Sequence, residues 1–288
     1  MSDADTVKGA GSAHPAPSPD PGRTFTRYVA IGDSFTEGMA DPDPRRPSRY
    51  LGWADRLAAH LAAVARESGA GQPPFGYANL AIRGRLLADI GGRQVDDALA
   101  LAPDLVSIVG GGNDILRPRA DVDALASRLE DSVARLRASG AGVLLATPTD
   151  PRDAPLIRAS RGRAATYTAH IWSIARRHDA QVIDLWGMAA LRDWRMWAPD
   201  RIHLTPEGHR RVALAAFTAL GFTAPDAGWA DPLPAAAPVS RADATRANAL
   251  WAREYVIPWV QRRLRGQSSG DSISAKRPAV TPLEGRSP

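Results

Sequence analysis

The sequence predicts an α/β protein with a mostly parallel, five-stranded sheet and helices on both faces. Three observations carry that prediction. Short β-branched or apolar runs alternate with stretches of helical periodicity, and right-handed βαβ crossovers turn such a pattern into a parallel sheet. The chain has 288 residues, 44% of them apolar, enough to bury a sizeable core as one large domain. Residues able to do chemistry follow the strand runs, and ligands in such sheets sit outside the carboxyl ends of the strands.

The first strand run is Tyr28-Val29-Ala30-Ile31, and Gly76-Tyr77-Ala78-Asn79-Leu80 is a weaker second. Leu105-Val106-Ser107-Ile108-Val109, Val143-Leu144-Leu145-Ala146 and Val182-Ile183-Asp184 complete the set. Each has strand length and β-branched or apolar character. Between them, Trp53, Leu57, Leu61 and Val64 recur at spacings of four, four and three, and Val122, Leu125, Leu129, Val133 and Leu136 do likewise. Each set gives a helix one apolar face. Residues 160–178 and 241–264 are further helical candidates. The "MADPDPRRPSRY" stretch at 39–50 reads as a loop beside the first strand end, because its prolines cannot continue a helix.

Both ends are rich in Ala, Pro, Ser and Gly without periodicity, so residues 1–24 and 266–288 are expected to be disordered tails around a domain spanning 25–265. No apolar stretch reaches the roughly 20 residues needed to span a bilayer. The N-terminus lacks a positive region followed by an apolar one, which points to a cytoplasmic protein. The net charge of +5 resides in residues 240–288, where nine Lys or Arg face four Asp or Glu; 27 residues of each sign remain elsewhere. A neutral body offers a polyanion no footprint, so nucleic acid is not an expected partner. The absence of cysteine removes thiolate catalysis and Cys-based zinc sites.

The strand ends carry a distinctive set of residues. Gly32-Asp33-Ser34 follows the first run, Arg83-Gly84 the second, Gly110-Gly111-Gly112-Asn113-Asp114 the third, and Asp200-Arg201-Ile202-His203 comes after the last. A serine hydroxyl becomes an effective nucleophile when an imidazole takes its proton, and the imidazole needs a carboxylate to set its tautomer. Glycines let backbone N–H groups approach a developing oxyanion, and an Asn amide adds an uncharged donor. These are the parts for acyl transfer.

The blocks Gly32-Asp33-Ser34, Gly84 within "NLAIRG", Gly111-Gly112-Asn113-Asp114 and Asp200-Arg201-Ile202-His203 resemble, in order, the four signature blocks of the SGNH hydrolase superfamily, the GDSL esterases and lipases. The resemblance spans residues 32–203. It implies a flavodoxin-like three-layer α/β/α sandwich and a serine esterase acting on carboxylic esters, without cofactor or metal. It further implies Ser34 as nucleophile, His203 as general base and then acid, and Asp200 as the orienting carboxylate. The oxyanion hole it implies consists of the Ser34 and Gly84 backbone N–H groups and the Asn113 amide. Phe35 replaces the motif's Leu after the nucleophile. An acyltransferase or thioesterase would use the same triad; a non-catalytic binding domain would usually have lost Ser or His.

Each residue also has a plainer reading. Ser34 is an acceptable helix N-cap. Asp33 is better suited to bracing the turn by accepting backbone N–H groups than to serving as triad acid. Asp114 is expected to hold its loop. Gly91 and Gly92 compete with Gly84, which comes sooner after the strand. His209 with Asp200 and His203 suggests a metal site, but the spacing fits no compact ligand pair. Thr205-Pro206 reads as the N-cap and first residue of a helix behind His203. Trp186, Trp194 and Trp197 either anchor a loop or line an acyl pocket. Trp251, Tyr255 and Trp259 among arginines suggest a membrane-surface helix, but Pro258 interrupts it and packing on the body is commoner. Gly266-Gln267-Ser268-Ser269-Gly270 matches a nucleophile elbow yet has no His downstream.

Overall fold

A computed structural model describes residues 24–68, 74–154, 157–237, 239–258 and 269–283. In chain order they form β1 (Arg27–Gly32), α1 (Ser34–Glu37), β2 (Pro42–Asp43), β3 (Arg46–Tyr50), α2 (Gly52–Glu67) and β4 (Gly76–Asn79). There follow α3 (Leu87–Asp89), α4 (Val95–Ala100), β5 (Leu105–Val109), α5 (Gly112–Ile115), α6 (Val122–Ala138) and β6 (Gly142–Ala146). The remainder is α7 (Arg161–Arg177), β7 (Gln181–Ile183), α8 (Pro206–Ala219), α9 (Arg241–Trp251) and β8 (Arg277–Pro282).

The sheet runs in the order β7-β6-β5-β1-β4-β8. Its first five strands are the five expected runs, all parallel, in the order of a flavodoxin-like sheet. Helices α2 and α8 pack together on one face, over Tyr28, Leu105 and Leu144; α6 and α7 cover the other, over Val29, Val106 and Val143. The periodic residues Trp53, Leu57, Leu61, Leu125, Leu129, Val133 and Leu136 are buried as predicted. Each contributes on the order of 1.5–3 kcal/mol of apolar transfer.

One expectation needs correction. The sheet has six strands: β8 lies within the stretch read as a disordered tail and pairs antiparallel with β4, Tyr77 opposite Thr281 and Asn79 opposite Arg277. Pro278 and Pro282 give this segment the look of a loop, because proline cannot donate to a ladder. On an edge strand the missing donors face away from the sheet, and β8 covers the edge that β4 would otherwise expose. The final helical stretch is α9, which passes into a π-helical turn over Ala252–Val256 and stays helical to Pro258, where the described residues of that segment end. Trp259 and residues 260–264 lie outside the described residues, as do residues 1–23 and the Gly266-Gln267-Ser268 part of the elbow match. The 39–50 segment forms the small exposed hairpin of β2 and β3.

Candidate active site

The turn after β1 is the first component. Asp33 caps α1, its Oδ1 accepting the Phe35 N–H at 3.0 Å. Asp33 therefore performs the N-capping weighed for Ser34, and Ser34 becomes the first helical residue. Its N–H has no intrahelical acceptor, as for any residue at that position. Gln94 holds the turn from below, accepting the Gly32 N–H at 2.8 Å and donating to the Gly32 carbonyl at 3.0 Å.

The second component is the turn Ile82–Arg85 beyond β4. Gly84 has φ +73°, the left-handed value that the third position of a type II turn requires. Glu37, at the end of α1 and buried, accepts the Arg83 N–H at 2.8 Å and pairs with the Arg83 guanidinium. Gly91 and Gly92, the competitors, are inside a π-helical turn, Ile90–Gln94. The third component follows β5, where Gly111 (φ +97°) starts α5. A Cβ there would lie 2.7 Å from the Tyr167 hydroxyl. Asn113 Nδ2 donates to Asp33 Oδ2 and to the Arg85 carbonyl, both at 3.1 Å, linking the other two turns. Asp114 accepts the Leu87 N–H at 3.0 Å, the loop-holding role expected of it.

The last component is a tight hairpin. Ala198 donates to the His203 carbonyl and Thr205 to the Met196 carbonyl, both at 2.8 Å, so Asp200 and His203 stand at its tip. His203 Nδ1 lies 2.6 Å from Asp200 Oδ2, and Asp200 Oδ1 accepts the N–H groups of Ile202 and His203 at 3.0 Å. With Nδ1–H given to the carboxylate, Nε2 is the free acceptor of the neutral ring. Thr205 caps α8 through the Gly208 N–H, as its Thr-Pro start predicts. Trp251 clamps the hairpin from α9, its indole N–H donating to the Asp200 carbonyl at 3.0 Å. The Arg201 guanidinium stacks between Trp194 and Trp251, 5.6 and 4.8 Å from their ring centres.

Electrostatics separate the two carboxylates. Burial pushes the Asp200 carboxyl up, but the His203 hydrogen bond, its charge and two backbone N–H groups outweigh burial and hold it below its ordinary value. Burial wins at Asp33, raising it to about 6 against the Phe35 N–H and a positive His203. No hydrogen bond between Ser34 Oγ and His203 closes among the described residues; catalytic bonds in unliganded sites often tighten only with substrate.

Ser34 and Asn113 line a cavity of about 250 Å³ whose walls include Leu116, Ile157, Trp194, Trp197 and Trp251. Two of its charged borders are engaged: Asp150 with Arg161, and Arg201 with the indoles and Asn248. Trp194 and Trp197 thus line the pocket, while Trp186 packs against the core on the α6–α7 face of the sheet. His209 is buried in α8 with both ring nitrogens engaged by the protein. Its Nδ1 accepts the Trp53 N–H at 3.2 Å and its Nε2 donates to the Met39 carbonyl at 3.1 Å. Sequence reasoning missed Glu37, Gln94 and the cavity role of Trp251, for which no local pattern gave a signal.

A profile of the GDSL-like Lipase/Acylhydrolase family matches residues 30–211. The chain belongs to that family. Among solved structures, this acylhydrolase-family chain is similar to an α/β hydrolase enzyme from the metagenome of Lake Arreo, Spain, at 26% identity and TM-score 0.56, covering 69% of this chain and 96% of that one. It is also similar to an acetylxylan esterase from Geobacillus stearothermophilus, at 22% identity and TM-score 0.56, covering 71% and 98%. A search of curated protein sequences finds no significant match. Membership of the family makes the chain a hydrolase acting on esters. No helix among the described residues is long and apolar enough to cross a membrane.

Proposed function

We propose that the chain hydrolyses carboxylic esters through an acyl-enzyme, with Ser34 as nucleophile, His203 as base and acid, and Asp200 as the carboxylate that orients it. The observation that carries this reading is the 2.6 Å bond between Asp200 and His203 at a hairpin tip, beside a cavity that Ser34 lines. His203 Nε2 takes the hydroxyl proton as Ser34 Oγ attacks the ester carbonyl carbon. The carbonyl oxygen becomes an oxyanion, held by the N–H groups of Ser34 and Gly84 and by Asn113 Nδ2. Both Asn113 protons are engaged in the free protein, so the oxyanion shares the one directed at Asp33. Collapse breaks the bond to the leaving oxygen, which receives the proton from Nε2 and departs as the alcohol. Water then gives a proton to Nε2 and attacks the acyl carbon, and Ser34 regains its proton as the acid leaves.

The apolar cavity supports a small-molecule ester with an extended apolar part as substrate, and the mechanism uses no cofactor or metal. Transfer to an alcohol, or a thioester start, would use the same groups, and product analysis with an added acceptor alcohol distinguishes them. The direct test is turnover of p-nitrophenyl butyrate together with fluorophosphonate labelling. Ser34→Ala is expected to abolish both, and a variant retaining wild-type turnover refutes the assignment.

A further inference from the structure

Beyond the stretch shared with the family, the chain returns to the site. Gly270 lies against the Ile82–Arg85 turn so closely that an added Cβ would stand 2.1 Å from the Arg83 carbonyl oxygen. Six residues later Lys276, largely buried, enters a nest of oxygens. Its Nζ donates to the carbonyls of Glu37 at 2.6 Å, Tyr50 at 3.0 Å and Leu51 at 2.6 Å, and to Asp55 Oδ2 at 2.5 Å. β8 then runs along β4.

These contacts bear on the catalytic groups through short links. α1 has four residues, Ser34–Glu37, so fixing its last carbonyl fixes the helix that Ser34 begins. The Glu37 carboxylate in turn holds the Arg83 N–H and guanidinium, and with them the turn that presents Gly84. Asp55 also accepts from the Tyr77 hydroxyl at 3.2 Å, and Asn79 Nδ2 donates to the Thr36 carbonyl at 3.0 Å. An ammonium carries three protons, so four oxygens gathered on one nitrogen mark a site built around a cation. Asp55, a largely covered carboxylate among them, is stabilised by that cation.

We propose that Lys276 is a positioning residue for the ester hydrolysis, and that residues 269–283 form a strap holding the nucleophile helix and the Gly84 turn in register. This rests on the reading of Ser34 given above. A lysine serving stability alone would change the folded fraction and leave turnover per folded molecule untouched.

The experiment uses the full chain and three variants: Lys276→Met; Lys276→Met with Asp55→Asn, which removes the carboxylate that the first variant orphans; and Gly270→Ala, which disturbs the turn with Lys276 intact. Turnover of p-nitrophenyl butyrate, the rate of Ser34 labelling by a fluorophosphonate, and circular dichroism are read together. In folded protein, kcat is expected to fall about 10- to 100-fold, below the loss of a whole oxyanion donor. KM should stay within about threefold and labelling should slow in proportion, for a change in transition-state positioning rather than uniform binding. If the folded double variant or Gly270→Ala keeps wild-type kcat, or if kcat falls only as far as the folded fraction does, the proposal is overturned. Labelling of the wild-type chain at Ser34 tests the nucleophile independently; its absence would remove that reading, and the strap's catalytic role with it, whatever Lys276 does.

Discussion

Replacing His209 by glutamine should change how the fold responds to acid. His209 is 1% exposed and neutral, donating from Nε2 to Met39 and accepting the Trp53 N–H at Nδ1. Burial lowers its pKa to about 4 from the ordinary 6.5. The folded state thus resists a proton that the unfolded chain takes up below pH 6.5, so the stability His209 contributes is present above 6.5 and is lost as pH falls toward 4. Between pH 7.5 and 5 the linkage removes about 2 kcal/mol. Asp33 acts in the opposite direction. With its pKa raised to about 6, it is more stabilising in its protonated form, and stability is lost as pH rises through 4 to 6. Over the same interval, going down to pH 5, it returns about 1.4 kcal/mol. The two nearly offset, so the wild-type profile alone is uninformative. Glutamine keeps a donor for Met39 but does not titrate. Urea unfolding of wild type and His209→Gln at pH 7.5 and 5 should show their stability difference shift by about 2 kcal/mol toward the variant on acidification. A difference constant within about 0.5 kcal/mol refutes the assignment of His209 as a neutral buried group.

Three further outcomes follow from the site. Asp200→Asn should lower kcat on the order of 10³- to 10⁴-fold, since an amide favours the wrong imidazole tautomer, with little change in thermal unfolding because the backbone bonds to the side-chain oxygen survive. Asn113→Ala should cost about 10²- to 10³-fold in kcat and about 1–3 kcal/mol of stability by leaving Arg85 and Asp33 short of a donor, measured by steady-state kinetics and urea titration. Leu116→Trp, which fills the cavity, should reduce kcat/KM for p-nitrophenyl octanoate at least about tenfold more than for the acetate; equal losses on the two esters would place the acyl chain elsewhere.

The parallel core was legible because each of its strands is a local apolar run, and because the strand-end rule needs only their order. The residues assembled at that edge were legible for the same reason: Asp200 and His203 are three apart, and Asn113 follows a glycine run directly. What escaped notice depends on distance. Lys276 meets Glu37 across 239 residues of chain, and nothing in the "SAKRPAVTP" stretch marks one lysine as buried. β8 contributes only an edge, where prolines are tolerated and alternation is weak. The capping role passed from Ser34 to its neighbour because either residue type can accept the N–H, and the choice depends on the φ and ψ of the turn. Glu37 shows the limit most clearly: within "GDSFTEG" it has the look of a solvated helix charge, and only the fold brings Arg83 over it.

The Trp194–Arg201–Trp251 stack gives the protein an optical handle on its own chemistry. Both indoles of the stack border the cavity, and that of Trp251 is bonded to the backbone of Asp200. An acyl group entering there displaces water from their faces and changes their emission. Under the acyl-enzyme mechanism proposed above, formation and decay of that intermediate are expected to be visible in intrinsic fluorescence, in a single mixing experiment and without a chromogenic leaving group.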